Sequence, residues 1–478
     1  MGLRDSGAVP LWTVVTVTFF LVLFSQGGFE HEGSHYLIFG AGLSVLLALR
    51  VDDRAAVRSL RLVPVLLLVL MALLQIASEF WSILASGESL SAGMVTLAAV
   101  AFAPAGAALA SRLGIGAVCL IISLVAIASG AVGIVSVGLE LHPTSQFLDG
   151  NWRPGGPFEY PNALALVQTV ALLPLARGIS RAGNHAGSGR VVKVLALAWL
   201  GQAVVLIAIS ASVFAQLAAC LILLLALWKP ELSVGMDRPR AIRILPGLLC
   251  AIVVSLLAMG SFPGVGGVDQ GGARVMLLVI AALSLPAGWL ATGTFRPVGP
   301  AAALRIYFLA AILAVAMVGF RLLDAPDDGF LHGRGELASA AIDAAMDRPV
   351  AGTGADSFSA ASFEQQQELT SRTLFAHNLV LEYWVEVGIA GLLLTIAMIA
   401  SVVVACWRGR TVPEAVVLAP GALAIVLSAL VDWPWHMSSV VMLLGLMLGA
   451  MSVYLPEKPQ VSARKSELGH LPGPISVP

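Results

Sequence analysis

Long apolar runs recur along nearly the whole chain, broken by short polar turns. They fall near 9–25, 36–50, 61–78, 89–110, 113–139, 162–177, 193–209, 212–228, 244–260, 275–293, 305–322, 378–405, 415–431 and 438–455. A hydrocarbon core about 30 Å thick takes about 20 helical residues, so this pattern predicts an all-α polytopic membrane protein of about 14 spans, and about 12 if the short runs 36–50 and 162–177 do not cross. One long polar segment, Arg321–Gly391, interrupts the pattern between two hydrophobic helices. Long ordered loops are usually functional, so the helices read as a scaffold for this one. The expected organisation is a single transmembrane domain over 1–455. A large extracytoplasmic loop with short helices lies within it at 323–377, and a polar, Pro-rich disordered tail follows at 456–478.

Composition agrees with a bilayer environment. The 478 residues are 58% hydrophobic and 12% charged, with mean hydropathy +0.91. A soluble domain carries about a quarter charged residues, and an outer-membrane barrel shows only ~10-residue alternating segments. Net charge is −1, and nothing points to nucleic acid. Cys119, Cys220, Cys250 and Cys406 all fall inside expected helices, without a CxxC pair, so neither a disulfide framework nor a cysteine metal site is indicated. The first apolar run lacks a small-residue cleavage site and reads as a retained helix. With the N-terminus inside, 21 of the 27 Lys and Arg fall on the inner side and 6 on the outer side, following the positive-inside rule. Both termini are then cytoplasmic. The outer six are Arg153, Arg274, Arg321, Arg334, Arg348 and Arg372.

Several patterns within this frame carry candidate chemistry. In FAHNLVLEYWVEVGIAG, Asn378, Glu382 and Glu386 are spaced by four and share a helical stripe below His377. Charge on such a stripe faces a cavity or a partner; the structural alternative is a helix-capping His-Asn with a snorkelling Glu382. Gly352 and Gly354 in DRPVAGTGADSF read as a structural turn, since no Walker lysine follows. His31-Glu32-Gly33-Ser34-His35 matches the zinc-peptidase pattern H-E-x-x-H, which requires both imidazoles on one stable helix face. Asp324, Asp327 and Asp328 could hold a divalent cation near the outer surface, and acidic turn residues flanking Pro326 and Gly329 explain them as well. In LVDWPWHMS the tryptophans read as interfacial anchors, leaving Asp432 to explain.

Taken together, HGRGELASAAIDAAMDRPVAGTGADSF, HNLVLEYWVEVGIAG and RPGGPFEYPNALA resemble the O-antigen ligase/O-antigen polymerase family. The resemblance rests on Arg334, His377, Asn378, Glu386, Gly388 and Gly391, with support from Arg153, Gly155, Asn162 and the Asp432 hairpin. The chain departs from the family at ISASVFAQL, where Ser212 is followed by Val213 rather than by arginine, and in an extra helix pair before the long loop.

The resemblance implies a membrane glycosyltransferase of cell-surface polysaccharide biosynthesis. It would move glycan from an undecaprenyl-diphosphate carrier to a hydroxyl on an acceptor glycan or lipid, at the outer face of the bacterial cytoplasmic membrane. Arg334 and Arg153 would neutralise the diphosphate leaving group, and His377 would deprotonate or position the acceptor. Asn378, Glu382, Glu386, Arg348, Arg372 and Asp432 complete the substrate-binding set, with no cofactor and no metal. Ligase and polymerase share this donor chemistry. The rival readings are a transporter or flippase for a lipid-linked or anionic solute, and an intramembrane zinc metalloprotease through His31, Glu32 and His35.

Overall fold

Apolar runs fold as helices wherever the computed structural model describes them, over residues 7–31, 33–148, 151–181, 188–210, 212–233, 333–366 and 372–456. The first six are α1 (Ala8–Leu23), α2 (Ser34–Leu60), α3 (Val63–Ser78), α4 (Glu88–Val100), α5 (Phe102–Leu113) and α6 (Ile115–Leu139). An antiparallel hairpin follows, β1 (Ser145–Leu148) with β2 (Asn151–Pro154), pairing Gln146 with Arg153. Then come α7 (Pro161–Arg181), α8 (Ser188–Ile209) and α9 (Val213–Trp228). The loop helix α10 (Arg334–Asp347), α11 (Leu379–Arg408), α12 (Ala419–Ser428) and α13 (Ser438–Tyr454) complete the described fold. The expected helices at 244–260, 275–293 and 305–322, the acidic residues Asp324, Asp327 and Asp328, and the tail from 457 lie outside the described residues.

Local chemistry sets the breaks. The single run expected at 89–110 is two helices in line, parted at Ala101, because Pro104 has no N–H to give the Val100 carbonyl. The run expected at 36–50 continues to Leu60 through a non-helical Asp52, whose carboxylate accepts from Ala55 N–H at 3.0 Å and so caps the second half. Among the described residues, Ser34–Leu60, the combined Glu88–Leu113, Ile115–Leu139 and Leu379–Arg408 are each long and apolar enough to cross a membrane.

The packing centre is α13, buried continuously from Ser438 to Ser452. It lies against α4 and α5 through small residues, which let membrane helices approach closely. Gly445 sits under the Ala99 carbonyl, Gly449 under that of Ala103, and Gly106 under that of Leu446. A methyl at any of these would meet backbone that cannot rotate away.

Polar contacts gather at two ends of the bundle. At one end Asp52 holds Ser111 and Arg112, Arg58 reaches the Leu455 carbonyl, Arg177 meets Glu414 and the Pro413 carbonyl, and Arg408 bonds the Pro456 carbonyl. The other end carries the β-hairpin, the start of α7, the described part of the long loop and the α12–α13 turn.

Gly449→Ala is expected to destabilise the protein by about 1–3 kcal/mol as overpacking does. Gly42→Ala, with nothing within 4 Å of the new methyl, is expected to be neutral or to stabilise by about 0.5–1 kcal/mol. Thermal unfolding midpoints in detergent compare the two. Equal midpoints would mean that α13 and α5 do not approach so closely.

Candidate active site

The α12–α13 turn brings the site together. The Leu379 N–H at the start of α11 bonds the Ala429 carbonyl at 2.8 Å, which brings His377 beside Asp432. Asn378 is the N-cap of α11, its Oδ1 accepting from Val380 and Leu381 N–H at 3.0 and 3.2 Å. The oxygen of Asn378 is therefore committed to the helix, as the structural alternative had it. His377 takes a left-handed conformation (φ 52°), which turns its ring out of the incoming loop.

Asp432 is the hub. Its Oδ1 accepts from Tyr160 Oη at 2.6 Å and from Trp433 N–H at 2.9 Å, and its Oδ2 accepts from Asn162 Nδ2 at 2.6 Å. Asn162 also donates to Tyr160 Oη at 2.9 Å. His377 Nδ1 stands 3.2 Å from Oδ1, but its N–H is not in line with the oxygen, so that contact is chiefly electrostatic. Burial pushes the Asp432 carboxyl up, yet the close contact with His377, the hydrogen bond from Tyr160 and the charge of Arg334 outweigh it and hold the group below the usual carboxylate range. Burial and the neighbouring Asp432 charge together drive the Tyr160 phenol well above its ordinary value, so it stays a donor. Arg334 opens α10, half-buried, close enough for its charge to act on both Asp432 and Tyr160.

A second imidazole–carboxylate pair lies behind this one. His436 Nε2 meets Glu382 Oε1 at 2.5 Å, and Glu382 Oε2 accepts from Ala376 N–H at 3.0 Å, next to His377. The Phe375 ring stacks on His436 at 3.7 Å and separates the two pairs, with its other contacts to Trp433 and Phe29. Burial lowers the His436 pKa, but the Glu382 charge and hydrogen bond more than compensate, so it is raised overall.

The other candidates stand elsewhere. Glu386, 2% exposed, bonds Phe358 N–H at 3.3 Å and lines a cavity of about 60 Å³ with Gln75, Asp356, Tyr383 and His436. That space suits a few waters, well below the ~300 Å³ of ligand pockets. Arg348 is exposed at the end of α10, and the exposed Arg372 lies over the Phe363 ring at 4.8 Å. Arg153 is half-buried on β2, seven residues before Tyr160.

His31 ends a 3-10 turn and His35 lies in α2, with left-handed Gly33 (φ 71°) between them. The one-helix geometry of a zinc peptidase is therefore absent. Among the described residues no group of three or more His, Cys, Asp or Glu is arranged to hold a metal. Tyr160 and His436 did not stand out in the sequence. The signal for Tyr160 was its place two residues before Asn162.

These features define a helical integral membrane protein whose site joins an imidazole, a buried carboxylate and an arginine at one end of the bundle. Residues 270–396 match the family model described as O-antigen ligase, which supports membership of that family. The match holds Arg334, His377, Asn378, Glu382 and Glu386, while Arg153, Tyr160, Asn162 and Asp432 lie outside it. No curated protein matches the chain.

Glu382→Gln keeps an acceptor for Ala376 but removes the charge that pairs His436. A raised histidine pKa stabilises fully below the unfolded value of ~6.5 and loses that contribution as pH rises through the folded value. Wild type is therefore expected to exceed the variant by about 2 kcal/mol at pH 5–6, with the gap closing on the alkaline side. Unfolding midpoints against pH measure this, and a gap that widens with pH would refute the pairing.

Proposed function

We propose that the protein is a glycosyltransferase that takes glycan from an undecaprenyl-diphosphate carrier and passes it to a hydroxyl of a glycan or lipid acceptor. The observation that carries the reading is the junction of His377, Asp432 and Arg334, drawn from remote parts of the chain. An ionised Asp432 beside Nδ1 favours the proton on that nitrogen, leaving Nε2 as the ring's basic site; this tautomer is assigned from the contact. His377, with 19% of its side chain exposed, has an open edge for an acceptor.

In the reaction the acceptor oxygen attacks the anomeric carbon and its proton passes to Nε2. The bond from that carbon to the diphosphate breaks, and its electron pair leaves with the diphosphate. Arg334 neutralises the developing charge, as a guanidinium does for phosphate oxygens. Arg153, Arg348 and Arg372 are proposed to guide the anionic donor, from their places on the same end of the bundle. Tyr160 and Asn162 keep Asp432 ionised and fixed. Glu382 serves the site by holding the chain before His377, and Glu386 supports the kinked helix below. The 21-to-6 bias of basic residues supports an orientation with both termini cytoplasmic and this end facing outward, in the cytoplasmic membrane of a bacterium.

The test is turnover of an undecaprenyl-diphosphate-linked repeat unit by protein in nanodiscs, read as glycan product and released lipid diphosphate. His377→Ala and Arg334→Ala are each expected to lose about 100-fold or more in rate. A ladder of product lengths from donor alone identifies a polymerase, and single transfer that needs a second acceptor identifies a ligase. Full activity in both variants, or no turnover of any donor, would overturn the assignment.

A further inference from the structure

The loop helix α10 has three faces. Leu337, Ala340, Ala341, Ala344 and Ala345 are buried, packing on the start of α11 against Leu381, Trp384 and Val385. The exposed remainder is not uniformly polar. Ile342 and Met346, one turn apart, are 42% and 60% exposed, and Val350, just past the helix end, is 74% exposed. Beside this apolar edge runs an acidic one, of exposed Glu336, Asp343 and Asp347. At 3.6 residues per turn the two edges lie about 100° apart, so the exposed surface has a direction.

That direction agrees with where the bilayer must begin. The helix α11 has 30 residues and ends at Arg408. Crossing the hydrocarbon takes about 20 of them, which counts back from Arg408 to about Ile389. The exposed apolar residues Ile389, Leu393, Ile396, Val403, Val404 and Trp407 all fall within that part. The first ten residues, kinked off at Val387 and Gly388, stand above the hydrocarbon, and α10 packs on them. The Pro349 carbonyl accepts from Ile389 N–H at 3.0 Å and from Trp384 Nε1 at 3.2 Å. The Ile342–Met346–Val350 edge therefore joins the top of the lipid-facing strip of α11, with an indole at the boundary where tryptophans settle.

We infer that α10 lies on the membrane surface, with Ile342, Met346 and Val350 in the acyl-chain boundary of the adjoining leaflet and Glu336, Asp343 and Asp347 in water. Its partner is bilayer lipid. An amphipathic helix lying in the interface buries such an edge in this way. Arg334, at its first turn, is thereby held at headgroup level. This inference stands independently of the transferase reading.

The test places nitroxide labels on the full chain in phosphatidylethanolamine–phosphatidylglycerol liposomes, with Cys119, Cys220, Cys250 and Cys406 replaced by alanine. Labels at Ile342→Cys, Met346→Cys and Val350→Cys are expected to collide more with dissolved oxygen than with a water-soluble nickel chelate. Those at Asp343→Cys and Asp347→Cys are expected to show the reverse. Should the cysteine-free chain not fold, wild-type protein is photolabelled with a diazirine-bearing acyl chain, and the label is expected on the Ile342–Met346 peptide. Water access at all five positions would overturn the inference. So would an apolar edge closed to both probes, or a peptide free of photolabel, since protein would then cover it.

Discussion

A carboxylate buried among helices must be compensated, because stripping its water costs several kcal/mol that only hydrogen bonds and nearby positive charge return. Asp432 meets that demand with the N–H of the adjacent Trp433 and with groups from three remote places: Tyr160 and Asn162 at the head of α7, His377 at the return of the long loop, and Arg334 at the head of α10. Much of this end of the bundle can be read as the means of delivering those donors. The β-hairpin and Pro161 set where α7 starts. The Leu379–Ala429 hydrogen bond sets where α11 starts relative to the turn.

The loop is held by a second device, the break in α11. At Val387 and Gly388 the helix leaves its regular course, and the carbonyls of Val385 and Glu386 accept from Thr353 and Gly354 N–H at 3.0 and 2.7 Å. Gly388 has φ 67° and lies under the Val350 backbone, a position that both the conformation and the space reserve for glycine. The Gly352–Gly354 turn is thus a docking strand, further tied to the α3–α4 connection by Ile83 N–H to the Thr353 carbonyl at 2.8 Å. A loop fixed in this way can present His377 and Arg334 without a soluble domain of its own.

Much of this was legible in the sequence, and the reason is physical. Hydrophobic length marks helices strongly, so the described runs appeared where expected, and the main errors were at Asp52 and Pro104, where one polar side chain or one missing N–H changes the course of an apolar run. His377 and Arg334 were singled out by family resemblance and Asp432 as a charge without a bland use, and the structure brings the three near one another. What sequence withheld was pairing. Glu382 and Glu386 share a helical stripe, yet Glu382 holds His436 and the Ala376 N–H while Glu386 bonds the Phe358 N–H and lines a small cavity, and neither set of partners is adjacent in the sequence. Tyr160 and His436 drew no reading from the sequence, and only tertiary contact gives them an acidic neighbour.

The two imidazole–carboxylate pairs also differ in how their carboxylates are compensated. Besides its contact with His377, Asp432 has three hydrogen-bond donors, Tyr160, Asn162 and the Trp433 N–H, so its charge does not depend on that imidazole alone. Glu382 has one described donor besides His436, the Ala376 N–H, and its burial makes the loss of that histidine's proton expensive. Through the Ala376 N–H the pair also ties down the chain just before the left-handed turn at His377. One carboxylate is therefore compensated by several donors, whereas the other depends mostly on its imidazole.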